Sequence, residues 1–287
     1  MVHTRGLLSG LFTALMVMGI FVSAGCCGGG AKGMRMLEGV PSDASRVRYF
    51  DTGSLRSWPE LRDRMVKDEL EDQGIIAAEA LTGIKLDDEH LEALTRVMTS
   101  SGQEADIYEG HFDLDAVRGR LEEAKCEQGE YQGVELWHFN LNLDVYVYEA
   151  WVAVTEEAVV VGGEDGVTDC IEVMKGYKKS LGSGGDLVVV MDRLPSEVYM
   201  LDVQTEDEEN EGVEVGGYAI SRMDADTLKL TYAYKFKDEQ AAGEGRDKIK
   251  ASIDQDPNWS TLTVDQEKEF VEATAKMGTE DYINSTG

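Results

Sequence analysis

Apolar and polar positions between Arg46 and Met277 fall into short runs of two kinds. Alternating or β-branched runs predict strands at Ser45–Phe50, Leu91–Thr99, Glu104–Phe112, around Val134–His138, and at Ala150–Thr155 and Val159–Val161. Later runs predict further strands at Val198–Val203, Val215–Met223, Thr227–Phe236, Leu262–Val264 and Phe270–Thr274. Ser100-Ser101-Gly102-Gln103 and Asp224-Ala225-Asp226 are short enough to close hairpins. Spacings of three and four predict the helices. One opens with Ser57 as N-cap and Pro59 and Glu60 in its first turn, carries Leu61, Met65, Leu70 and Ile75-Ile76, and stops at Gly83. A second is capped by Asp113 and carries Leu114, Val117, Leu121 and Ala124. Others run from Gly166 through Ile171 and Met174, from Asp186 to Leu194-Pro195, and from about Gln240 to Asp254.

In order, the first half runs β-α-β-β-α-β, the ferredoxin-like pattern with two helices on one face of an antiparallel sheet. The second half repeats that order without a residue-level repeat. The expected architecture is therefore α+β, two tandem βαββαβ halves following a leader and a tether. The corresponding boundaries are 1–25 for the leader, 26–44 for a Gly-rich tether, 45–155 and 156–278 for the two halves, and 279–287 for a tail.

The N-terminal pattern bears on location. Arg5 precedes an apolar core from Leu7 to Val22, then Ser23-Ala24-Gly25, Cys26, Cys27 and Gly28-Gly29-Gly30. This order is that of a lipoprotein signal, cut before Cys26, whose new N-terminus is acylated. Ser23 stands where such signals usually have an aliphatic residue. Val22-x-Ala24 also fits an ordinary signal-peptidase site, and the apolar core is short for a membrane anchor, which needs roughly 20 residues. The glycine tract suits a tether that lets a domain clear the bilayer surface.

Charge narrows the partners. The chain carries 56 acidic against 27 basic residues, a net charge of −29, and loss of Arg5 with the leader makes it −30. Such a surface repels anionic lipid headgroups and nucleic acid, and nucleic acid is excluded as a partner. The densest acid, Glu206-Asp207-Glu208-Glu209-Asn210-Glu211, lacks the alternating Asp/Asn and turn glycine of a calcium loop, and no metal site is expected. Beyond Cys26 and Cys27 only Cys126 and Cys170 remain. In an exported protein that even pair reads as a disulfide, with two separate buried thiols as the alternative. If the helices bearing them lie side by side in one ferredoxin-like unit, the two cysteines meet at one end of the layer.

Several segments carry a family likeness. Tyr108–Asp115, Glu130–Trp137, Val160–Asp165, Ser180-Leu181 and Leu187–Pro195 stand in an order similar to that of a group of uncharacterised exported bacterial lipoproteins. The likeness spans most of Arg46–Met277 and implies fold and location, with no activity attached.

Motifs for catalysis are lacking. His90, His111 and His138 have no ligand spacing, no GxSxG elbow occurs, and Gly182-Ser183-Gly184-Gly185 is not followed by the Lys-Ser/Thr of a phosphate loop. Acid pairs are too numerous for one to be singled out for glycoside hydrolysis. Trp58, Trp137, Trp151 and Trp259 suit core packing better than a ligand groove, given their alternating neighbours. No catalytic residue and no cofactor are assigned. The sequence favours a tethered extracytoplasmic binding module whose partners are the bilayer, through its anchor, and an envelope protein, peptide or glycan. An extracytoplasmic hydrolase assembling a carboxylate pair in three dimensions is the alternative.

Overall fold

A computed structural model describes residues 35–70, 72–143, 146–205, 212–255 and 260–284. Cys26, the acidic run 206–211 and Trp259 lie outside them.

Among the described residues the strands are β1 (Arg46–Phe50), β2 (Leu91–Met98), β3 (Glu104–Gly110), β4 (Glu127–Tyr131), β5 (Val134–Leu143) and β6 (Tyr146–Val154). They continue as β7 (Ala158–Gly162), β8 (Met200–Thr205), β9 (Val213–Arg222), β10 (Thr227–Phe236), β11 (Ser260–Glu267) and β12 (Phe270–Gly278). All twelve join one sheet in the order β11-β12-β10-β9-β8-β1-β2-β3-β7-β6-β5-β4. Every pairing in it is antiparallel.

This corrects the expectation of two ferredoxin-like βαββαβ halves. The expected hairpins form, β2 with β3 and β9 with β10. The helix capped by Asp113, α5 (Leu114–Glu123), does not return the chain to a neighbouring strand. It carries the chain out to β4 at the sheet edge, from which β5, β6 and β7 meander back until β7 pairs with β3. The second side does the same on a smaller scale. After β10, helix α8 (Glu239–Gln255) leads to β11 at the other edge, and β12 returns to pair with β10. The two sides meet where β1 pairs with β8, making one continuous sheet.

Alternation along the central strands gives the sheet two apolar faces. Phe50, Leu94, Tyr108, Val161, Met200 and Ile220 lie in one cluster, under α1 (Thr52–Leu55), α2 (Pro59–Met65), α4 (Gln73–Thr82) and α5. Val47, Val97, Ile107, Val160, Leu201 and Val203 form the other, under α6 (Glu164–Met174) and α7 (Val188–Met191). A third cluster seats Ala242 and Ile249 of α8 on Phe236, Val271 and Ala273. C-terminal α9 (Thr279–Asn284) packs against α2 and adds Tyr282 and Ile283 to the first cluster.

The segment between Ser57 and Gly83 is broken into α2, the four-residue α3 (Lys67–Leu70) and α4. Trp58, not Ser57, is the N-cap of α2 and offers it no side-chain bond. Asp72 caps α4 by accepting from the amides of Gly74 and Ile75 at 2.8 and 3.2 Å. Gly83, at φ 77°, ends that helix in the left-handed conformation. The short α3 between them delivers Glu69 to the sheet, where its carboxylate meets Arg48 and Arg96.

Candidate functional site

Charged residues occupy inward-facing positions on four adjacent central strands. In β1, Arg46 and Arg48 share the parity of buried Phe50. Arg96 in β2 shares that of Leu94, Asp106 in β3 that of Tyr108, and Asp202 in β8 that of Met200. The register sets them side by side. Asp202 is opposite Arg48, Arg48 opposite Arg96, and Arg96 opposite Asp106.

Two adjacent arginines across a non-polar sheet face repel one another. Carboxylates on both sides and from above offset this. Arg46 donates to Asp202 through Nε at 3.0 Å and Nη2 at 2.6 Å, the fork geometry that suits a carboxylate. Arg48 donates to the same carboxylate through Nε at 2.9 Å. Glu69, 2% exposed, places one oxygen on Nη1 of Arg48 and the other on Nη1 of Arg96. Arg96 also donates through Nε to Asp106 Oδ1 at 2.8 Å, and its Nη2 lies 3.1 Å from Asp72 Oδ1. Glu104 stands at the margin, 3.8 Å from Arg96 Nη2 and largely exposed.

A recess of about 60 Å³ opens at this cluster, lined by Arg46, Arg48, Arg96, Met98, Glu104 and Asp106 together with Val97. It holds a few water molecules or one compact charged group, far less than the several hundred Å³ of a drug-sized site.

Burial pushes the Asp106 carboxyl up to about 7, against the pull of Arg96, and neighbouring Asp72 and Glu104 add to the rise. Asp72 behaves oppositely. Burial alone would raise it, but the Arg96 hydrogen bond and charge and the amides of Ile75 and Gly74 outweigh that and hold it below the usual carboxylate range. The polar row continues on β9 as Tyr218, opposite Asp202, whose phenol is pushed up first by burial and then by that carboxylate.

The residues singled out from sequence lie elsewhere. Cys126 and Cys170 are free thiols and are not brought together. Cys126 packs with the cluster on the α5 side of the sheet, and Cys170 of α6 is buried in the cluster on the opposite side. With the sheet between them, the side-by-side placement of their helices that a bridge required is absent, because α5 and α6 cover different faces. His90 and His111 are exposed at the end of the β2–β3 hairpin, where the His111 amide donates to the His90 carbonyl at 3.0 Å. His138 stacks on Trp151 at 4.3 Å between centroids. Trp137 is buried and donates to Glu135, while Trp58 lies between Tyr199 and Arg222. The described tryptophans are thus distributed through separate packing sites and line no common groove. Among the described residues no set of three His, Cys, Asp or Glu side chains is disposed to hold a metal.

Sequence reasoning missed Glu69, Arg96, Asp106, Asp202, Arg46 and Arg48. The available signal was parity, a charged residue at the same phase as the apolar core positions of its own strand.

No protein-family model matches the chain, and no solved structure matches it. It is similar to an uncharacterised protein of Methanocaldococcus jannaschii, 27% identical over 187 residues. The match covers 64% of this chain and 62% of that relative, less than two thirds of its length. The similarity brings no activity with it.

Proposed function

We propose that this chain is a membrane-anchored extracytoplasmic lipoprotein, acylated at Cys26, that acts as a binding module, and that its central recess takes a cationic group. The order of Arg5, the apolar Leu7–Val22 core and Cys26 supports the anchoring, and the charge balance of the cluster supports the recess. Among the described residues, Glu69, Asp72, Glu104, Asp106 and Asp202 face only Arg46, Arg48 and Arg96. The deficit of positive charge falls at the recess. Burial raises the Asp106 carboxyl to about 7, so it holds a proton part of the time near neutral pH, and Glu104 at the mouth stands beyond hydrogen-bond distance of Arg96. An ammonium entering there would displace the Asp106 proton and face Glu104. The net charge of −29 concentrates cations around the whole molecule and repels anions. The recess is large enough for the tip of a lysine side chain and too small for a sugar ring. A basic segment of an envelope protein or peptide is the class of partner this suits.

The test is calorimetric titration of the full chain with a lysine hexapeptide near pH 7, in two buffers of different ionisation enthalpy. Binding should release protons in the wild type. Asp106→Asn should abolish that release, and Glu104→Gln should weaken binding several-fold. Binding without proton release, unchanged in both variants, would mean diffuse attraction to an acidic surface and would remove the recess from the proposal.

The opposed shifts of Asp72 and Asp106 favour a second reading, a hydrolase using this pair as base and acid. Both carboxylates are committed to the same guanidinium, and Asp106 is almost wholly buried, which leaves no room for a scissile bond between them.

A further inference from the structure

Acid is dense in this chain, 56 Asp and Glu in 287 residues, and two of the stretches that lack it are linked by the fold. Residues 26–37 contain Lys32 and Arg35 and no acid. Residues 173–185 contain Lys175, Lys178 and Lys179 and no acid. The fold joins the second stretch to the chain just past the first. The Leu181 amide donates to the Val40 carbonyl at 2.7 Å, the Ser42 amide donates to the Lys179 carbonyl at 3.0 Å, and Pro41 bridges Ser180. Leu37 and Val40 are fully buried, so this junction is fixed to the domain. Glu38 and Asp43 flank it.

The loop Lys175–Lys179 leaves α6 by a defined cap. The Gly176 amide donates to Val173 and the Tyr177 amide to Glu172, with Gly176 at φ 75°. In this motif the residue at the Tyr177 position commonly folds an apolar side chain back onto the helix, at the position held here by Glu172. A carboxylate offers it no apolar cover, and Tyr177 stands 65% exposed. Lys175, Lys178 and Lys179 are also exposed. Lys178 is paired with Asp169 and Glu172, whereas Lys175 and Lys179 make no ion pair among the described residues.

We infer that Lys175–Lys179 is the membrane-facing loop of the anchored protein, with Tyr177 at the level of the headgroups and Lys175 and Lys179 against anionic lipid. The inference rests on acylation of Cys26. Eight residues, 27–34, separate that cysteine from the described fold. Fully extended they reach about 30 Å, so the domain surface nearest Arg35 stays within about that distance of the bilayer. Lysines flanking an exposed tyrosine suit an anionic interface. The remaining acidic surface is repelled by the same lipid, so attraction at the loop and repulsion elsewhere select one orientation.

The experiment uses the full acylated chain reconstituted in vesicles of phosphatidylcholine alone or of an equal mixture with phosphatidylglycerol. Trypsin cleavage at the loop is compared with cleavage at Lys248 and Lys250 on α8, in chain that stays vesicle-bound on flotation, since a cut at Lys32 or Arg35 frees the domain. Loop cleavage should slow several-fold on the anionic vesicles relative to α8. High salt and Tyr177→Ser, which keeps every cleavage site, should each restore it. An intact mass without acyl chains overturns the anchoring and this inference together. An acylated chain whose loop is cut equally fast on both vesicles overturns the inference and leaves the anchoring standing.

Discussion

Arg48 and Arg96 stand directly opposite each other on β1 and β2, and the two oxygens of buried Glu69 are divided between them. Asp202 and Asp106 flank this pair of like charges in the sheet, and α3 brings down the one carboxylate that meets both. Glu69→Ala should therefore cost about 3–5 kcal/mol in urea unfolding, the range for removing one partner of a buried charge network. Adding Arg48→Met to the same variant should return part of the loss, since it removes the like-charge pair while Arg46 still holds Asp202 and Arg96 still holds Asp106 and Asp72. A Glu69→Ala variant as stable as the wild type would show that Asp202, Asp106 and Asp72 suffice to neutralise them.

Asp106 makes stability fall as pH rises. Its folded-state value of about 7 lies above the ordinary carboxylate value near 4, so the native state binds this proton more tightly than the unfolded chain does. Between roughly pH 4 and 7 the unfolded chain has lost the proton while the folded one keeps it, and each step up in pH favours unfolding. Asp72 acts in the other direction and lower down, since its depressed value gives stability that is lost only as pH falls through it. Urea midpoints of Asp106→Asn should consequently decline less than those of the wild type across roughly pH 4 to 7. Parallel pH profiles for the two proteins would count against a retained proton at this carboxyl.

The elements that were legible are those whose pattern is local. Asp113 with Val117 and Leu121 declares α5, and Gly102 and the Asp224–Asp226 turn declare hairpins. What escaped is non-local. Nothing in the run Glu127-Gln128-Gly129-Glu130-Tyr131 alternates, because β4 is an edge strand with nearly every residue exposed. With β4 unseen, β5 to β7 could be placed in a ferredoxin-like unit instead of a meander returning to β3. The central cluster escaped for a similar reason. Arg46-Val47-Arg48 looks like a solvated strand end until β8 and α3 supply Asp202 and Glu69, which lie 154 and 21 residues beyond Arg48. Its parity with Phe50 was the available clue.

The two thiols should behave differently. Cys170 is fully buried, and burial raises its thiol to about 12. Cys126 is half-buried and raised in the same direction by the same cause. Reaction requires thiolate and access. Iodoacetamide at pH 8 should label Cys126 slowly in the native protein and Cys170 only after denaturation, both without prior reduction. A denatured, unreduced sample in which neither is alkylated would restore the Cys126–Cys170 bridge.

Salt should stabilise this protein although ion pairs lie at its centre. Two electrostatic effects oppose each other here. Added salt weakens attraction within the Arg–Asp–Glu cluster, but Glu69, Asp106 and Asp202 are at most 6% exposed, and buried pairs are screened little. Salt also weakens repulsion among the surplus surface carboxylates. They give the chain its net charge of −29, which folding draws together. As the screening length falls from about 10 Å at 0.1 M to about 3 Å at 1 M, the second effect dominates. The melting temperature should rise by several degrees over that range in sodium chloride, a salt chosen to limit the surface-exclusion stabilisation that sulfate adds. The rise should shrink at pH 4.5, where part of the surface carboxylate is neutralised. A melting temperature that falls with sodium chloride at pH 7 would mean that the central ion pairs, rather than surface repulsion, set the salt response.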